Sequence, residues 1–363
     1  MYKESDLVAI AKRENNKKRS YLVVDPLQGK HIPVSPKAAL DLFRELASKV
    51  KNAYQGERIL FIGFAETATA IGSQVAISVG GKYIQTTREV IDDVNYLYFS
   101  EAHSHATEQK LVREDIESVI KDVDRVIFVE DEVTTGNTIL NIIHIMQKEY
   151  GNIKFAVASL LNGMNDECLK IYEDMAIDLH FLVKTNHDRY TEIADSYICN
   201  GEYIEPDYSE NKVNQLNIDG SVNARRLLST YDYHKAVEEL WKEICKKMTV
   251  NKDKSYLVIG TEESMYPAIY IGEQIEKIAK SVKTHSTTRS PISVSNDEKY
   301  PLHTRYEIRS MYDDERVTYI YDIAKYDEVI IITDSKHDEK KGVYSLINAI
   351  RKNNCNITLV RWN

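Results

Sequence analysis

Residues 126–138 read Val-Ile-Phe-Val-Glu-Asp-Glu-Val-Thr-Thr-Gly-Asn-Thr, and this stretch decides the fold class. Its four apolar residues at 126–129 predict a buried β-strand that ends at the acidic pair Glu130 and Asp131. A loop of hydroxyl residues and glycine follows, and the apolar residues within 139–146 predict a helix. A strand, a short loop and a helix in this order are typical of βαβ units in a mainly parallel sheet.

The loop after this strand has the chemistry needed to hold a phosphorylated sugar. Exposed N–H groups at a helix N-terminus and neighbouring hydroxyl groups bind a phosphate dianion. Glycine permits positive φ and lets the backbone approach the phosphate closely. The two carboxylates accept hydrogen bonds and would repel phosphate, so we expect Glu130 and Asp131 to face ribose hydroxyls. The simpler alternative is an acidic turn whose threonine caps a helix. The predicted phosphate-binding residues are Thr134, Thr135, Gly136, Asn137 and Thr138.

The same stretch resembles the signature of type I phosphoribosyltransferases, which has four apolar residues, two acidic ones and a Thr-Thr-Gly-x-Thr loop. The resemblance implies a Rossmann-like α/β domain that binds 5-phosphoribosyl diphosphate and Mg²⁺. It also implies that Glu130 and Asp131 are the catalytic and metal-binding carboxylates. Glu132 departs from the pattern, because a residue nearer to neutral is common at that position.

The resemblance implies two further loops for the diphosphate group of the donor. One follows the predicted strand 59–62, which ends at Gly63, and the other follows the predicted strand 83–86 and contributes Arg88. Glu66 departs from the pattern, since a carboxylate beside diphosphate must point away or bind magnesium. The simpler alternatives are a plain strand–helix turn and a surface arginine. The predicted residues of the first loop are Ala65, Glu66, Thr67 and Ala68.

A polar segment at 99–108 stands where the family has its flexible catalytic hood, a loop that closes over the site. His103 and His105 lie two residues apart, so an extended backbone would direct both to the same side. Histidine exchanges protons near neutral pH, and the resemblance implies catalytic proton donors here. The alternatives are a solvated loop and, with less support, a two-histidine metal site.

The second half repeats the strand–turn–helix pattern at 256–279, and residues 288–291 read Thr-Arg-Ser-Pro. That string resembles the TRSP domain found C-terminal to a phosphoribosyltransferase-like domain in gene clusters linked to tellurite resistance and stress responses. Segments 29–34 and 100–105 share this resemblance. We expect Glu263, Arg289 and Ser290 to contribute to substrate binding, because Arg289 and Ser290 follow a predicted strand.

Landmarks recur in the same order and at similar spacing in the two halves. A glycine, a glutamate, a Thr-Arg pair and a buried strand with a final aspartate appear in each. The second domain is therefore interpreted as a possible degenerate copy of the first, against the alternative of chance similarity between two βαβ folds. The predicted domains are 1–205, phosphoribosyltransferase-like, and 226–363, an α/β TRSP domain, with a connection at 206–225.

Composition excludes several classes of protein. The 363-residue chain has a formal net charge of −9 and no long basic run, which argues against nucleic acid as the main partner. Nothing approaches an 18-residue apolar run, and residues 1–19 lack the apolar core of a signal peptide. The four cysteines show no close pairing, as expected for reduced thiols in the cytoplasm.

These observations predict a magnesium-dependent transferase that moves the phosphoribosyl group to a nitrogen, nucleobase-like acceptor with release of pyrophosphate. The family resemblance adds a role in making a stress-related metabolite and a possible homodimer. Two alternatives remain open at this point. One is a non-catalytic sensor or regulator that binds phosphoribosyl diphosphate or a nucleotide, and the other is a phosphorolytic or hydrolytic enzyme with the same pocket.

Overall fold

A computed structural model of the chain describes residues 2–14, 19–99, 109–151, 153–336 and 340–363. Within these ranges, no helix has both the length and the apolarity needed to cross a membrane. The helices are α1 Glu4–Leu7, α2 Pro36–Ala53, α3 Thr69–Val79, α4 Arg113–Val119, α5 Asn137–Tyr150, α6 Asp166–Asp174, α7 Tyr190–Ser196, α8 Thr230–Lys247, α9 Tyr266–Glu276 and α10 Lys340–Arg351, with a 3-10 turn at Ile120–Asp122. The strands are β1 Ala9–Lys12, β2 Tyr21–Val24, β3 Ile59–Gly63, β4 Lys82–Gln85, β5 Tyr96–Tyr98, β6 Lys110–Val112, β7 Arg125–Val133, β8 Lys154–Asn162, β9 Asp178–Lys184, β10 Glu202–Ile204, β11 Asn214–Ile218, β12 Leu228–Ser229, β13 Ser255–Gly260, β14 Ser281–Ser286, β15 Thr304–Arg309, β16 Val317–Tyr321, β17 Glu328–Thr333 and β18 Ile357–Trp362.

The chain forms two compact units. The first unit contains residues 42–185 and 222–235, and the second contains residues 2–41, 186–221 and 236–363. Strand β11 lies inside the segment 206–225 that the sequence suggested as a connection, and it pairs with β18 in a sheet of the second unit. The domain limits drawn from the sequence remain a prediction.

The first unit is built on a six-stranded sheet in the order β12-β4-β3-β7-β8-β9. The five strands from β4 to β9 are parallel, and β12 joins the edge antiparallel to β4. The chain passes from β3 to β4 on one side and then to β7 on the other side. The carboxyl ends of β3 and β7 therefore flank the switch point where parallel α/β sheets bind ligands. The predicted mainly parallel α/β fold is confirmed.

Strand β7 is longer than the apolar run that predicts it. Residues 126–129 are fully buried, as the sequence implies, but hydrogen-bonded pairing with β8 continues to Val133. Glu130 pairs with Ser159, and Glu132 pairs with Leu161. Pairing with β8 extends β7 through the acidic residues. The sequence of β7 does not indicate this extension, because the pairing depends on a neighbouring strand.

Helix α5 packs its apolar side into the core of the first unit. The residues that sequence periodicity places on that side are all buried, and they are Ile139, Ile142, Ile143 and Met146. Burying one such side chain contributes about 1.5–3 kcal/mol. This packing fixes the position of the loop that precedes the helix.

The second unit contains a five-stranded parallel sheet in the order β11-β18-β17-β13-β14. Taken in chain order, β13, β14, β17 and β18 have the same arrangement as β3, β4, β7 and β8. The fifth strand differs, because β11 precedes this set in the chain whereas β9 follows its own set. A separate three-stranded sheet, β10-β15-β16, contains the antiparallel hairpin β15–β16.

The register of the two sheets also corresponds. Gly63 at the end of β3 pairs with Gln85 and Val129, and Gly260 at the end of β13 pairs with Ser286 and Ile332. This alignment supports the interpretation of an internal repeat. By position, the corresponding pairs are Ala65 and Glu262, Glu66 and Glu263, Thr86 and Thr287, Arg88 and Arg289, and Asp131 and Asp334.

Candidate active site

Three loops of the first unit meet at the carboxyl edge of its sheet. The Phe64 amide donates a hydrogen bond to the Val129 carbonyl at 3.0 Å, which joins the loop after β3 to the end of β7. The Thr86 amide donates to the Gly63 carbonyl at 2.9 Å and brings in the loop after β4. The predicted segments 65–68, 86–88 and 130–138 therefore lie at one edge, as expected for parallel strands.

Gly136 holds the loop between β7 and α5 in a conformation that only glycine adopts easily. Its φ is +75°, and it stands directly before the first helical residue. A Cβ atom here would lie 2.3 Å from the Tyr172 hydroxyl oxygen and 2.7 Å from Met164 Cε. The Leu140 amide donates to the Gly136 carbonyl at 2.9 Å and starts the helix. Both the backbone angle and the lack of space thus require glycine.

Tyr172, which the sequence analysis did not identify, supports the buried side of this loop. Its side chain is fully buried on α6, and its hydroxyl group donates to the Gly136 carbonyl at 2.8 Å. Burial raises the pKa of the Tyr172 hydroxyl, so the group remains protonated and able to donate. No motif marks this tyrosine, because it lies 36 residues from Gly136 along the chain.

The opposite side of the loop is exposed to solvent. Thr135, Asn137 and Thr138 are exposed, and Thr134 is half-buried. The Asn137 amide donates to Thr135 Oγ1 at 3.4 Å. The first N–H groups of a helix lack partners within the helix, so the start of α5 combines donor groups with a partial positive charge. This surface can hold a phosphate.

Two neighbouring carboxylates, Glu130 and Asp131, lie in the last part of β7. The Asp131 amide donates to Glu130 Oε2 at 3.2 Å. Burial, and then the negative charge of Asp131, raise the pKa of the Glu130 carboxyl well above its usual range. A cation beside the pair would relieve this cost, so the residues fit a magnesium ion.

The described ranges hold no group of three or more histidine, cysteine, aspartate or glutamate side chains placed to hold a metal. Magnesium usually takes only one or two protein carboxylates and completes its shell with water and substrate oxygens. The Glu130–Asp131 pair matches that limited protein contribution.

The loop after β3 is compact, and two of its side chains are small. Ala65 and Ala68 are buried, with 4% and 0% of their surface exposed, and the Ala65 amide donates to Thr86 Oγ1 at 2.8 Å. Thr67 is half-buried, and the peptide bond between Ala65 and Glu66 is cis. The Glu66 side chain is buried, with 6% of the residue exposed. The predicted diphosphate loop thus includes a carboxylate enclosed within the unit.

The third loop carries Arg88, which is half-buried. Just before it, Thr87 and Lys110 exchange two backbone hydrogen bonds of 2.9 and 3.1 Å, so the loop contacts the first residue of β6. The Lys110 ammonium lies 4.3 Å from the centre of the Tyr96 ring. His103 and His105 lie outside the described residues.

The three residues predicted in the second unit also lie near one another. Arg289 Nε lies 2.7 Å from Glu262 Oε2, and Arg289 Nη2 lies 3.7 Å from Glu263 Oε1. The Ser290 amide donates to Thr288 Oγ1 at 3.2 Å. The predicted anion-binding arginine is thus held by carboxylates of its own unit. Sequence reasoning singled out Glu263 and missed Glu262.

Comparisons with known proteins identify the family of the chain. Residues 7–188 match the phosphoribosyl transferase family, and residues 228–350 match the TRSP domain that is C-terminal to it. A search of curated proteins finds no match. The adenine phosphoribosyltransferase of Rhodothermus marinus is 13% identical, over 50% of this chain and 96% of that one, with a TM-score of 0.36.

Two other solved structures match this chain with comparable sequence identities and TM-scores. The enzyme from Giardia lamblia, an adenine phosphoribosyltransferase complexed with 9-deazaadenine, is 18% identical over 52% of this chain and all of that one, with a TM-score of 0.33. A hypoxanthine phosphoribosyltransferase from Staphylococcus aureus is 15% identical over 42% and 75%, with a TM-score of 0.27. By its family match, the chain belongs to the phosphoribosyl transferase family, a family of pentosyltransferase enzymes, and it bears a TRSP domain C-terminal to the transferase domain.

Proposed function

We propose that the protein transfers the phosphoribosyl group of 5-phosphoribosyl diphosphate to a nitrogen of a nucleobase-like acceptor, in the presence of Mg²⁺. One observation carries the proposal. A strand buried over residues 125–129 carries two carboxylates in its last part and leads to a glycine-centred loop at a helix N-terminus, whose Gly136 carbonyl accepts a hydrogen bond from Tyr172. A ribose 5-phosphate presents hydroxyl groups and a phosphate in the matching order.

The 5-phosphate would rest on residues 134–138. The exposed threonines supply hydroxyl groups, and the start of α5 supplies N–H groups and the positive end of its dipole. This anchor contacts atoms remote from the reacting carbon. Its contribution is to hold that carbon in place, which is how positioned substrates gain much of their rate.

The ribose hydroxyls would donate to Glu130 and Asp131. The same two carboxylates would hold magnesium, which would supply positive charge to the site. The raised pKa of Glu130 describes the unliganded protein, and a neighbouring cation favours the ionised carboxylate. The ionised pair would then stabilise the positive charge that develops on the ribose ring.

The diphosphate would leave towards residues 65–68 and Arg88. The bond from C1 to the diphosphate oxygen breaks, the bond from C1 to the acceptor nitrogen forms, and the acceptor proton passes to a base. A guanidinium pairs well with phosphate oxygens, and Arg88 follows the strand next to β3. His103 and His105 are proposed for the proton transfers.

Three wider aspects are proposed on lesser support. The TRSP domain suggests that the product belongs to a stress-related metabolite, as in the gene clusters linked to tellurite resistance. All four cysteines are free, which suits a reducing cytoplasm. A homodimer is proposed from the habit of the family alone.

Calorimetric titration of phosphoribosyl diphosphate with Mg²⁺ tests donor binding. Asp131→Asn should weaken binding by about ten- to a hundredfold, because one charged hydrogen bond contributes about 1.5–3 kcal/mol. The matched control is Asp122→Asn, which removes an exposed carboxylate of the same unit and should leave affinity unchanged. A wild-type protein that does not bind the donor would contradict the proposal.

Release of pyrophosphate distinguishes the enzyme from a sensor. A panel of free nucleobases and related nitrogen heterocycles would be added to the donor complex, and pyrophosphate would be assayed directly. Release that depends on one acceptor would support transfer. Release without any acceptor would indicate a hydrolytic enzyme, and release that requires inorganic phosphate would indicate phosphorolysis.

A further inference from the structure

The loop 310–316 of the second unit corresponds to the hood segment of the first. In the first unit, Thr87 exchanges two backbone hydrogen bonds with Lys110, the first residue of β6. In the second, Thr288 exchanges two with Tyr319 of hairpin β15–β16, at 2.8 and 2.7 Å. By chain order, the loop 310–316 therefore takes the same place between its two strands as the segment 99–109 does in the first unit.

The first contact of this loop is with Glu262, which corresponds by register to Ala65. The Glu262 amide donates to Thr287 Oγ1 at 3.0 Å, just as the Ala65 amide donates to Thr86 Oγ1. The Glu262 carboxylate, 1% exposed, accepts from Ser310 Oγ and lies 3.3 Å from Arg316 Nη1. With Arg289 also bound to it, this carboxylate stands where the first unit is proposed to hold the diphosphate.

The second contact replaces a sugar hydroxyl. Asp334 corresponds by register to Asp131, the proposed ribose ligand. The Tyr312 hydroxyl donates to Asp334 Oδ1 and lies 2.8 Å from Thr261 Oγ1. A phenol of the loop thus makes the contact that a ribose hydroxyl is proposed to make in the first unit.

The third contact replaces a phosphate. Helix α10 follows the third core strand, as α5 does in the first unit, and the Gly342 amide in its first turn donates to Asp314 Oδ1 at 2.8 Å. The loop backbone is also close, since a Cβ on Gly342 would lie 2.0 Å from the Ser310 carbonyl oxygen. An anionic group of the loop thus caps the helix that corresponds to the proposed phosphate anchor.

We infer that the second unit is a degenerate transferase fold whose donor crevice is filled from within by the loop 310–316, so that the chain binds one phosphoribosyl diphosphate, at the first unit. The inference rests on the proposed function for the position of the donor groups. Three side chains of the second unit stand in for three parts of the donor: Glu262 for diphosphate, Tyr312 for a ribose hydroxyl and Asp314 for the 5-phosphate.

Charge explains why the donor does not displace the loop. Four carboxylates surround the crevice, at Glu262, Glu263, Asp314 and Asp334, while Arg289 and Arg316 are already paired with Glu262. An entering diphosphate would lose hydration and meet buried negative charge. It would also have to break the hydrogen bonds that hold the loop.

Hydrogen exchange of the full chain, followed by mass spectrometry of peptides from α5 and α10, tests this inference. Two ligands are added separately to the wild type: phosphoribosyl diphosphate with Mg²⁺, and inorganic pyrophosphate. Neither should change hydrogen exchange in residues 340–351. Asp314→Ala should raise exchange at the first turn of α10 by tenfold or more. Glu315→Ala is the matched control, since it removes the neighbouring exposed carboxylate, whose ion pair is with the Lys341 side chain of the same helical turn and not with a helix N–H group.

The outcomes separate this inference from the proposed function. Protection of α10 by either ligand in the wild type, or unchanged exchange in Asp314→Ala, would overturn the closed crevice. A second equivalent of donor that persists in Asp131→Asn would do the same. If the donor protects neither helix, the proposed function fails, while pyrophosphate and the Asp314→Ala variant still decide the state of the second crevice.

Discussion

The crevices beyond β3–β7 and β13–β17 share a strand order and a register but differ in the described residues of the loops that line them. In the first unit, Gly136 keeps a short loop clear of side chains, and the neighbouring threonines face outward. In the second, Asp314 caps the helix that corresponds to α5, and Glu262 stands at the position of Ala65. The comparison teaches that buried apolar strands preserve the fold, whereas a few loop residues decide whether the fold binds a ligand.

The arginines at the corresponding positions illustrate the same difference. Arg289 bridges two buried glutamates, so its charge stabilises the second unit. Arg88 ends a loop at the candidate active site, where its charge is proposed to act on the leaving diphosphate. One position thus serves stability in one unit and, by proposal, catalysis in the other.

The largest effect is expected for Arg289→Met. Removing this guanidinium leaves Glu262 and Glu263 buried beside fewer cations, and breaking a buried ion pair costs about 3–5 kcal/mol. Chemical denaturation followed by hydrogen exchange of α9 and α10 would locate the loss in the second unit. The control is Arg189→Met, whose side chain is 76% exposed and which should cost less than about 1 kcal/mol. Equal losses in the two variants would contradict the structural role of Arg289.

An intermediate effect is expected for Gly136→Ala. The alanine must adopt a left-handed backbone, at about 1–2 kcal/mol, and its Cβ also overlaps Tyr172 and Met164, at about 1–3 kcal/mol more. Donor affinity should fall with stability, because the phosphate loop has to shift. Thermal unfolding and donor titration measure the two losses.

Gly151→Ala is the control at the other end of α5. Its φ of +82° and ψ of −148° lie in a region that strains alanine at least as much as the conformation of Gly136, but a Cβ there would meet nothing within 4 Å. Gly151→Ala should therefore lose stability through backbone strain alone and retain donor affinity. If the two variants behave alike, the contact with Tyr172 has no role in the phosphate loop.

The smallest effect is expected for Glu130→Gln. This substitution should raise the melting temperature without ligand and lower it, relative to the wild type, when Mg²⁺ and donor are bound. Because the folded protein raises the pKa of Glu130, it binds this proton more tightly than the unfolded chain does. Wild-type stability should fall as the pH rises from about 4.3, the ordinary glutamate pKa, through the raised folded pKa. The glutamine variant lacks this loss, so its melting temperature should exceed that of the wild type by a few degrees at pH 8.

The two proteins should melt alike near pH 3, where glutamate is protonated in both states. With Mg²⁺ and donor present, the order should reverse, because the variant lacks one ionised ligand. Melting curves across this pH range, with and without ligand, check both signs. A variant less stable than the wild type at pH 8 without ligand would contradict the burial of a costly charge at Glu130.

Much of the first unit follows from local sequence patterns. The apolar run 126–129 and the spacing within 139–146 predict β7 and α5, because burial and periodicity are properties of a short segment. The hydroxyl and glycine residues between them predict the phosphate loop by the same local logic. Segments without a clean pattern were missed, such as β9, whose residues are mostly half-buried at the sheet edge.

The sequence by itself determined the fold class, the order of the loops and the chemistry of residues 130–138. Only the tertiary structure decided which side chains meet across long stretches of chain. Tyr172 reaches Gly136 over 36 residues, and Ser310 reaches Glu262 over 48. The reason is physical: helix and strand periodicities depend on neighbours in the chain, whereas space filling and charge pairing depend on neighbours in space.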